Sequence, residues 1–378
     1  MSRIVSNPYE GVDWDSVDRH KTSVHQHPRT DNPLVPYEDD GPANLIDLYA
    51  GDGPDRDGNY LPEGEEQTLL GIGSEGNYNY WPWTDMADRI DELTKSRDPK
   101  EVGENGVVAY PQIEDNGREH MNFLWTKATR NEMNRNSRRV HLRTGLKENE
   151  DLNVDGSQPM AVLAHPWSYY DEENVDFEWP RYAGDFQQFA ESDGLLGTEL
   201  SNRRLEFGDS TGAELWDHFN SLLGPDRLIW GFGVDDANNY YIGQDVDRGF
   251  STVLFADGEH DVDDQESSRQ AAYDAIREGR HFAHQRAEYD PETEEPPTVP
   301  TVDEIDVDED ADTITVEASD YDTIEWVSRG SVVGDGETID VSDLENYVRA
   351  ELTNEGEGIT WTQPFGLDAP NTATRLLE

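Results

Sequence analysis

Cysteine is absent from all 378 residues. Its absence excludes disulfides, thiolate metal sites and cysteine nucleophiles together. Basic residues are scarce, 29 Lys and Arg against 83 Asp and Glu, for a net charge of −54 with His neutral. Against such a background no basic patch is expected to hold a phosphate backbone, so neither nucleic acid nor an anionic membrane is an expected partner. A surface this acidic repels itself in dilute buffer, whereas near molar salt the screening length shrinks to about 3 Å. The composition therefore reads as halophilic. Long apolar runs are missing too. None approaches the roughly 18 residues of a membrane span, and the opening residues Met1 to Glu10 carry no apolar segment of the signal-peptide kind. The expected location is a high-salt cytoplasm.

What the chain does have is aromatic material, with 10 Trp, 16 Tyr and 11 Phe, more than a disordered acidic chain carries. Short apolar runs at Thr68–Ile72, Gly106–Tyr110, Met121–Trp125, Met160–Ala164 and Arg227–Gly231 read as buried strands. Between them, Thr84–Thr94, Tyr182–Glu191, Gly212–Leu223 and Glu266–Glu278 have helical spacing. In the third of these, Leu215, Trp216, Phe219, Leu222 and Leu223 fall on one side. Strands and helices in alternation argue for an α/β architecture, open or barrel-like. The pattern stops near residue 286. Residues 287–302 form an acidic, Pro-rich linker, and period-two alternation at Ile314–Ala318, Ile324–Val327 and Tyr347–Leu352 makes residues 303–378 a small all-β, sandwich-like module. Residues 1–286 are then the domain expected to carry the chemistry.

Without thiols, any metal must sit on His, Asp and Glu, ligands suited to zinc, manganese or iron. The ten histidines and their carboxylate neighbours supply four candidates. His25-Gln26-His27 puts two imidazoles on one side of an extended chain. Glu114 and His120 lie on the two arms of a turn between strands, a pattern that a solvated hairpin explains equally well. His165 ends an apolar strand in Ala164-His165-Pro166, where a structural histidine is as common as a ligand. Asp235-Asp236 closes the apolar strand of Trp230–Val234 among glycines, where turn chemistry is the alternative.

In this order the segments resemble the polymerase and histidinol phosphatase (PHP) superfamily, and most closely its CehA/McbA-like branch. Similar too are Gly197-Thr198-Glu199-Leu200-Ser201-Asn202, Leu215-Trp216-Asp217 with Leu228–Gly231, Ala275–Ala283, and the closing Thr360–Phe365. The resemblance spans roughly residues 18 to 367. It implies a distorted (β/α)7-type, TIM-like barrel with a metal cluster at the C-terminal ends of its strands. It further implies that His25, His27, Glu114 and Asp236 hold one divalent ion, with Glu114 bridging to a second on His120 and His165. Glu114, Asp236 and His165 are the residues expected to take part in catalysis.

The chain departs from the family pattern at Gly73-Ser74-Glu75-Gly76-Asn77, where the usual Asp and His are gone, and at Asn238, where a His is usual. Glu75 and Asn238 are possible additional ligands, and one or two ions are expected. Among basic residues, Arg203 and Arg204 are candidates for anion capture near the metals. For Arg130, Arg135, Arg138, Arg139, His141, Arg143 and Lys147, pairing with surface acids is the preferred reading. The aromatic loop Tyr78–Trp83, with Trp167, Tyr169 and Tyr170, suggests a pocket wall for an organic substrate. The expected function is a metal-dependent hydrolase, first a phosphoesterase using a metal-bound hydroxide on a small, possibly phosphorylated molecule. An ester, carbamate or amide hydrolase and a catalytically degenerate, metal-retaining binding or scaffold protein are the alternatives. The oligomeric state is not legible.

Overall fold

The computed structural model describes residues 3–27, 46–72, 107–116, 120–126, 160–169, 195–237 and 240–368. Before residue 287 the named elements are β1 (Ile4–Ser6), β2 (Asp18–Thr22), β3 (Leu69–Ile72), β4 (Val108–Asn116), β5 (His120–Leu124), β6 (Met160–Leu163), β7 (Leu195–Ser201), α1 (Thr211–Leu223), β8 (Trp230–Gly233), β9 (Gly249–Phe255), α2 (Gln265–Glu278) and β10 (His281–Arg286). After it come β11 (Thr301–Asp308), β12 (Thr313–Ser319), β13 (Thr323–Ser328), β14 (Ser331–Asp335), β15 (Thr338–Asp340), β16 (Asn346–Asn354), β17 (Gly358–Trp361) and β18 (Phe365–Leu367). The expected helices at 84–94 and 182–191 lie outside the described residues.

Each apolar run read as a strand overlaps a strand, Arg227–Gly231 only in its last two residues, and α1 and α2 stand where the 3.6-residue period placed them. Helix α2 has conventional ends: the Asp264 side chain accepts from Ser267 N, and Gly279 closes it in the left-handed region at φ 78°. Helix α1 buries Leu215, Trp216 and Phe219, and the Trp216 indole N–H donates to Ile229 O at 2.6 Å. Leu222, expected on the buried side, is 43 % exposed.

The barrel expectation fails. Among the described residues the chain is dominated by strands in three sheets, and the TIM-like, helix-rich (β/α)7 architecture is not formed. The six-stranded sheet has the order β3-β4-β5-β6-β7-β8, with no pairing between its end strands β3 and β8 among the described residues. It is mixed: β3/β4, β6/β7 and β7/β8 are parallel, β4/β5 and β5/β6 antiparallel. Connection length explains the reversal. Asn116 and His120 are paired across a connection of three residues, whereas a parallel crossover needs a dozen or more. The nine-stranded sheet is antiparallel and runs β1-β18-β16-β17-β10-β9-β2, with β13 on β16 and β14 on β13. Strands β11, β12 and β15 form the third.

Residues 287–300 contain turns but neither helix nor strand. Strands on either side of them share the nine-stranded sheet, with β10 beside β17 and β1 beside β18. A buried ion pair joins the same two portions: Arg349 on β16 forks onto both Asp217 oxygens of α1 at 2.8 and 2.7 Å and onto Glu351 at 3.0 Å. The two large sheets meet at Gly233, where any side chain would collide with the carbonyls of His284 and Phe250. That close approach sets the C-terminal end of β8 against the core, and the candidate site lies there.

Candidate metal centre

The segment after β2 and the segment after β8 are joined by their backbones. Asp236 N donates to His25 O at 3.1 Å, and Gln26 forms an isolated parallel bridge with Ala237. This pairing brings His25, His27 and Asp236 together. The β4/β5 hairpin contributes Glu114 and His120, and the end of β6 contributes His165. Residues from four stretches of chain thus meet in one buried cluster, with His25, His27, Glu114, His165 and Asp236 each at most 3 % exposed.

Glu114 is its centre. Its Oε1 lies 2.7 Å from His120 Nδ1, 3.5 Å from His165 Nε2 and 3.6 Å from His25 Nε2, and its Oε2 lies 3.7 Å from His27 Nε2. Asp236 Oδ1 is 2.7 Å from His27 Nε2 and 3.6 Å from His25 Nε2. Two overlapping groups, His25/Glu114/His165 and His25/His27/Asp236, offer ligand atoms within 4.8 Å of one another, so each is placed to hold a metal ion. His120 is in neither group. With its side chain 25 % exposed, it hydrogen-bonds Glu114 at the rim.

Glu199, in the middle of β7, was not among the sequence candidates for the site and is fully buried beneath it. Its Oε1 accepts from His25 Nδ1 at 2.5 Å and Asn122 Nδ2 at 2.9 Å. Its Oε2 accepts from His165 N at 2.7 Å and Asn202 Nδ2 at 3.3 Å. Tying His25 through Nδ1 leaves Nε2 facing Glu114 and Asp236, the arrangement by which a carboxylate orients a metal-binding imidazole. A signal was there to read: a lone acid inside the apolar run Leu195–Leu200 needs several donors to be tolerated.

The electrostatics favour a cation. Burial by itself would lower the His25 pKa, but the charges of Glu199, Asp236 and Glu114 lift it well above the usual value. Burial would raise Glu114, yet the charge of His25 and hydrogen bonds from His120, His165 and His25 hold its carboxyl well below the ordinary range. Asp236 behaves like Glu114, held low against burial by His25 and His27. Its neighbour Asp235 faces elsewhere, accepting from Arg248 N at 3.0 Å and Gly249 N at 3.2 Å. Burial and the Asp247 charge push Asp235 up to about 7. Adjacent acids thus divide, one facing the cluster and the other serving a turn.

His165 and Asp236 also occupy the left-handed region, at φ 28° and 50°. Such backbone costs about 1–3 kcal/mol per residue and persists where neighbours over-determine it. Here Glu199 holds His165 N and the His25 carbonyl holds Asp236 N.

Arg203 and Arg204 reach Asp236 as well. Arg203 Nε donates to its carbonyl, and Arg204 Nε lies 2.8 Å from its Oδ2. Trp167 is partly buried in the short 3-10 turn Pro166–Tyr169. Glu75, Asn238, the basic cluster from Arg130 to Lys147, Tyr170 and the aromatic loop Tyr78–Trp83 lie outside the described residues. Among the described residues no helix is long and apolar enough to cross a membrane.

No family model matches the chain, and neither does any curated protein. Among solved structures, it is similar to PsfC from Pseudomonas syringae PB-5123, at 14% identity and a TM-score of 0.34, over 62% of this chain and 82% of that one. It is also similar to endonuclease Q in complex with a 27-mer duplex bearing an abasic lesion at the active site, at 13% identity and a TM-score of 0.34, over 64% of this chain and 55% of that one. Likeness of this degree transfers no residue and no activity.

Proposed function

We propose that this chain is a divalent-metal-dependent hydrolase of the PHP kind, acting on a phosphoester. The observation that carries the reading is the convergence of His25, His27, Glu114, His165 and Asp236, scattered over more than two hundred residues, into two overlapping buried ligand groups. The donor set fits a cation: His25 Nε2 is buried without a hydrogen bond, and carboxylate oxygens face it from both sides at 3.6 Å. Imidazole and carboxylate ligands without thiolate suit zinc, manganese or iron. A bound divalent ion supplies Lewis acidity toward a phosphoryl oxygen and lowers the pKa of water.

The chain's own residues prepare that chemistry. Glu199 fixes which His25 nitrogen faces inward, and Asn122 and Asn202 hold Glu199 in turn. Glu114, with both oxygens among imidazoles, is placed to link the two ligand groups. Asp236 turns Oδ1 to the histidines and Oδ2 to Arg204.

The test is metal analysis on protein purified in molar KCl without chelator, followed by turnover of p-nitrophenyl phosphate, a phosphodiester and p-nitrophenyl acetate with manganese or zinc. The expected results are one or two bound ions, their loss in the His25→Ala/Asp236→Ala double variant, and preference for the phosphoesters. Metal-free protein would remove the cluster from consideration. Preference for the acetate would move the reading to ester or amide hydrolysis, and metal without turnover would leave a binding protein.

A further inference from the structure

Two buried arginines of this molecule spend their terminal guanidinium nitrogens on carboxylates. Arg349 spends Nε and both terminal nitrogens on Asp217 and Glu351. Arg286 spends its two terminal nitrogens on Asp247 and Glu65. In both cases the fork is consumed by carboxylates and the charge is neutralised in place. Arg203 and Arg204 differ. Each docks through Nε alone, Arg203 on the Asp236 carbonyl and Arg204 on the Asp236 carboxylate. Among the described residues, the terminal nitrogens of both make no hydrogen bond.

Their backbone is fixed as firmly as their Nε atoms. Arg203 N donates to Asp235 O at 3.3 Å, and Arg204 N donates to Asn202 Oδ1 at 2.8 Å. Asn202 itself bonds Glu199 beneath the cluster. The Arg204 side chain remains 38 % exposed. A peptide carbonyl does not neutralise a guanidinium, so the pair carries one positive charge more than Asp236 balances. Two forks with a surplus charge are therefore held against a residue of the candidate metal centre.

We propose that Arg203 and Arg204 form an oxyanion clamp, whose forks hold the phosphoryl oxygens of a phosphoester against the metal cluster. The assignment rests on the metal-hydrolase reading and adds to it the part of the substrate that is recognised. Guanidinium forks match phosphate oxygens in pairs, which a point-charge ammonium does not. The surroundings make contact recognition necessary. A chain of net charge −54 repels a phosphate dianion at long range. In molar salt that repulsion and any long-range steering are both screened beyond about 3 Å, leaving short hydrogen bonds to discriminate.

The experiment is isothermal titration of inorganic phosphate, with acetate as the planar anion, into metal-loaded protein in molar KCl. Wild type is compared with Arg203→Lys/Arg204→Lys, which keeps the charge and loses the forks, and with Arg204→Lys alone. Metal content and far-ultraviolet circular dichroism are recorded for each. The clamp is expected to show wild-type metal content, phosphate affinity about tenfold lower for each arginine replaced, and weak acetate binding throughout. Phosphate affinity within twofold of wild type in a folded, metal-replete variant overturns it, as does acetate binding tighter than phosphate. If the double variant loses metal or structure, the solvent-exposed Arg204→Lys decides on the same criterion. Should wild type hold no metal, the cluster reading has failed, and the same titrations on that protein judge the clamp separately.

Discussion

His25 and His284 are both buried, yet their surroundings drive the two imidazoles in opposite directions. His25 stands among Glu199, Asp236 and Glu114, and its pKa rises despite burial. His284, on the nine-stranded sheet, bonds the hydroxyls of Thr360 at 2.8 Å and Thr252 at 2.9 Å. Burial, reinforced by Lys21 and Arg286, pushes it down to about 3. His281, bonded to Gly231 O at 3.2 Å, is pushed by burial to about 3 as well. So is His20, by burial and by His260, whose ring stacks on it at 4.1 Å. Burial is common to both sets. Carboxylate company separates a histidine suited to a metal from one that completes a core.

Acid exposes the contrast most strongly. For His20, His281 and His284 the unfolded chain binds more protons than the folded one between pH 6.5 and about 3, so stability rises with pH across that window. Their contribution is intact above 6.5 and falls as pH drops, by about 2 kcal/mol each at pH 5, or ~6 kcal/mol together. Urea unfolding at pH 7 and pH 5 in molar KCl should show the loss. Replacing His284 by Leu should shrink the pH dependence by about a third.

Glu199→Gln is next in size. An amide cannot accept from all the donors that Glu199 serves, so the His25 ring loses its anchor. Metal affinity should fall about 10- to 100-fold, read by chelator competition. Replacing His284 by Leu should have the complementary effect at neutral pH: about 1 kcal/mol of stability lost with the imidazole's bonds to the Thr252 and Thr360 hydroxyls, of which Thr360 keeps its bond to Pro300 O, with metal affinity unchanged. The smallest effect is expected at the surface, where Glu278→Gln breaks the 3.1 Å Arg280–Glu278 pair. Its carboxylate side is 63 % exposed, so in molar salt the melting temperature should barely move.

The sequence exposed the residues of the buried cluster more plainly than the architecture around them. His25 and His27 advertise themselves by their spacing, Glu114 and His120 by flanking a turn, and Asp236 by closing an apolar strand. Such cues are local, and the fold kept them. Glu199 was hidden because an acid inside a strand is visible only as an exception, and its four partners come from β5 and from the segments that follow β2, β6 and β7. The barrel expectation failed for a related reason. Period and length identify a strand but not its direction, and one three-residue connection between β4 and β5 suffices to reverse it. The division between the two adjacent acids was equally illegible, because it depends on Arg248 and Gly249 reaching Asp235 from a later strand.

The backbone bridge between Gln26 and Ala237, with Asp236 N on the His25 carbonyl, means that His25, His27 and Asp236 are assembled when the chain folds. On the proposed metal reading, a site built this way should not need an ion as a folding partner. Stripping the metal should leave an intact, refillable protein, with reloading governed by ion access rather than by refolding.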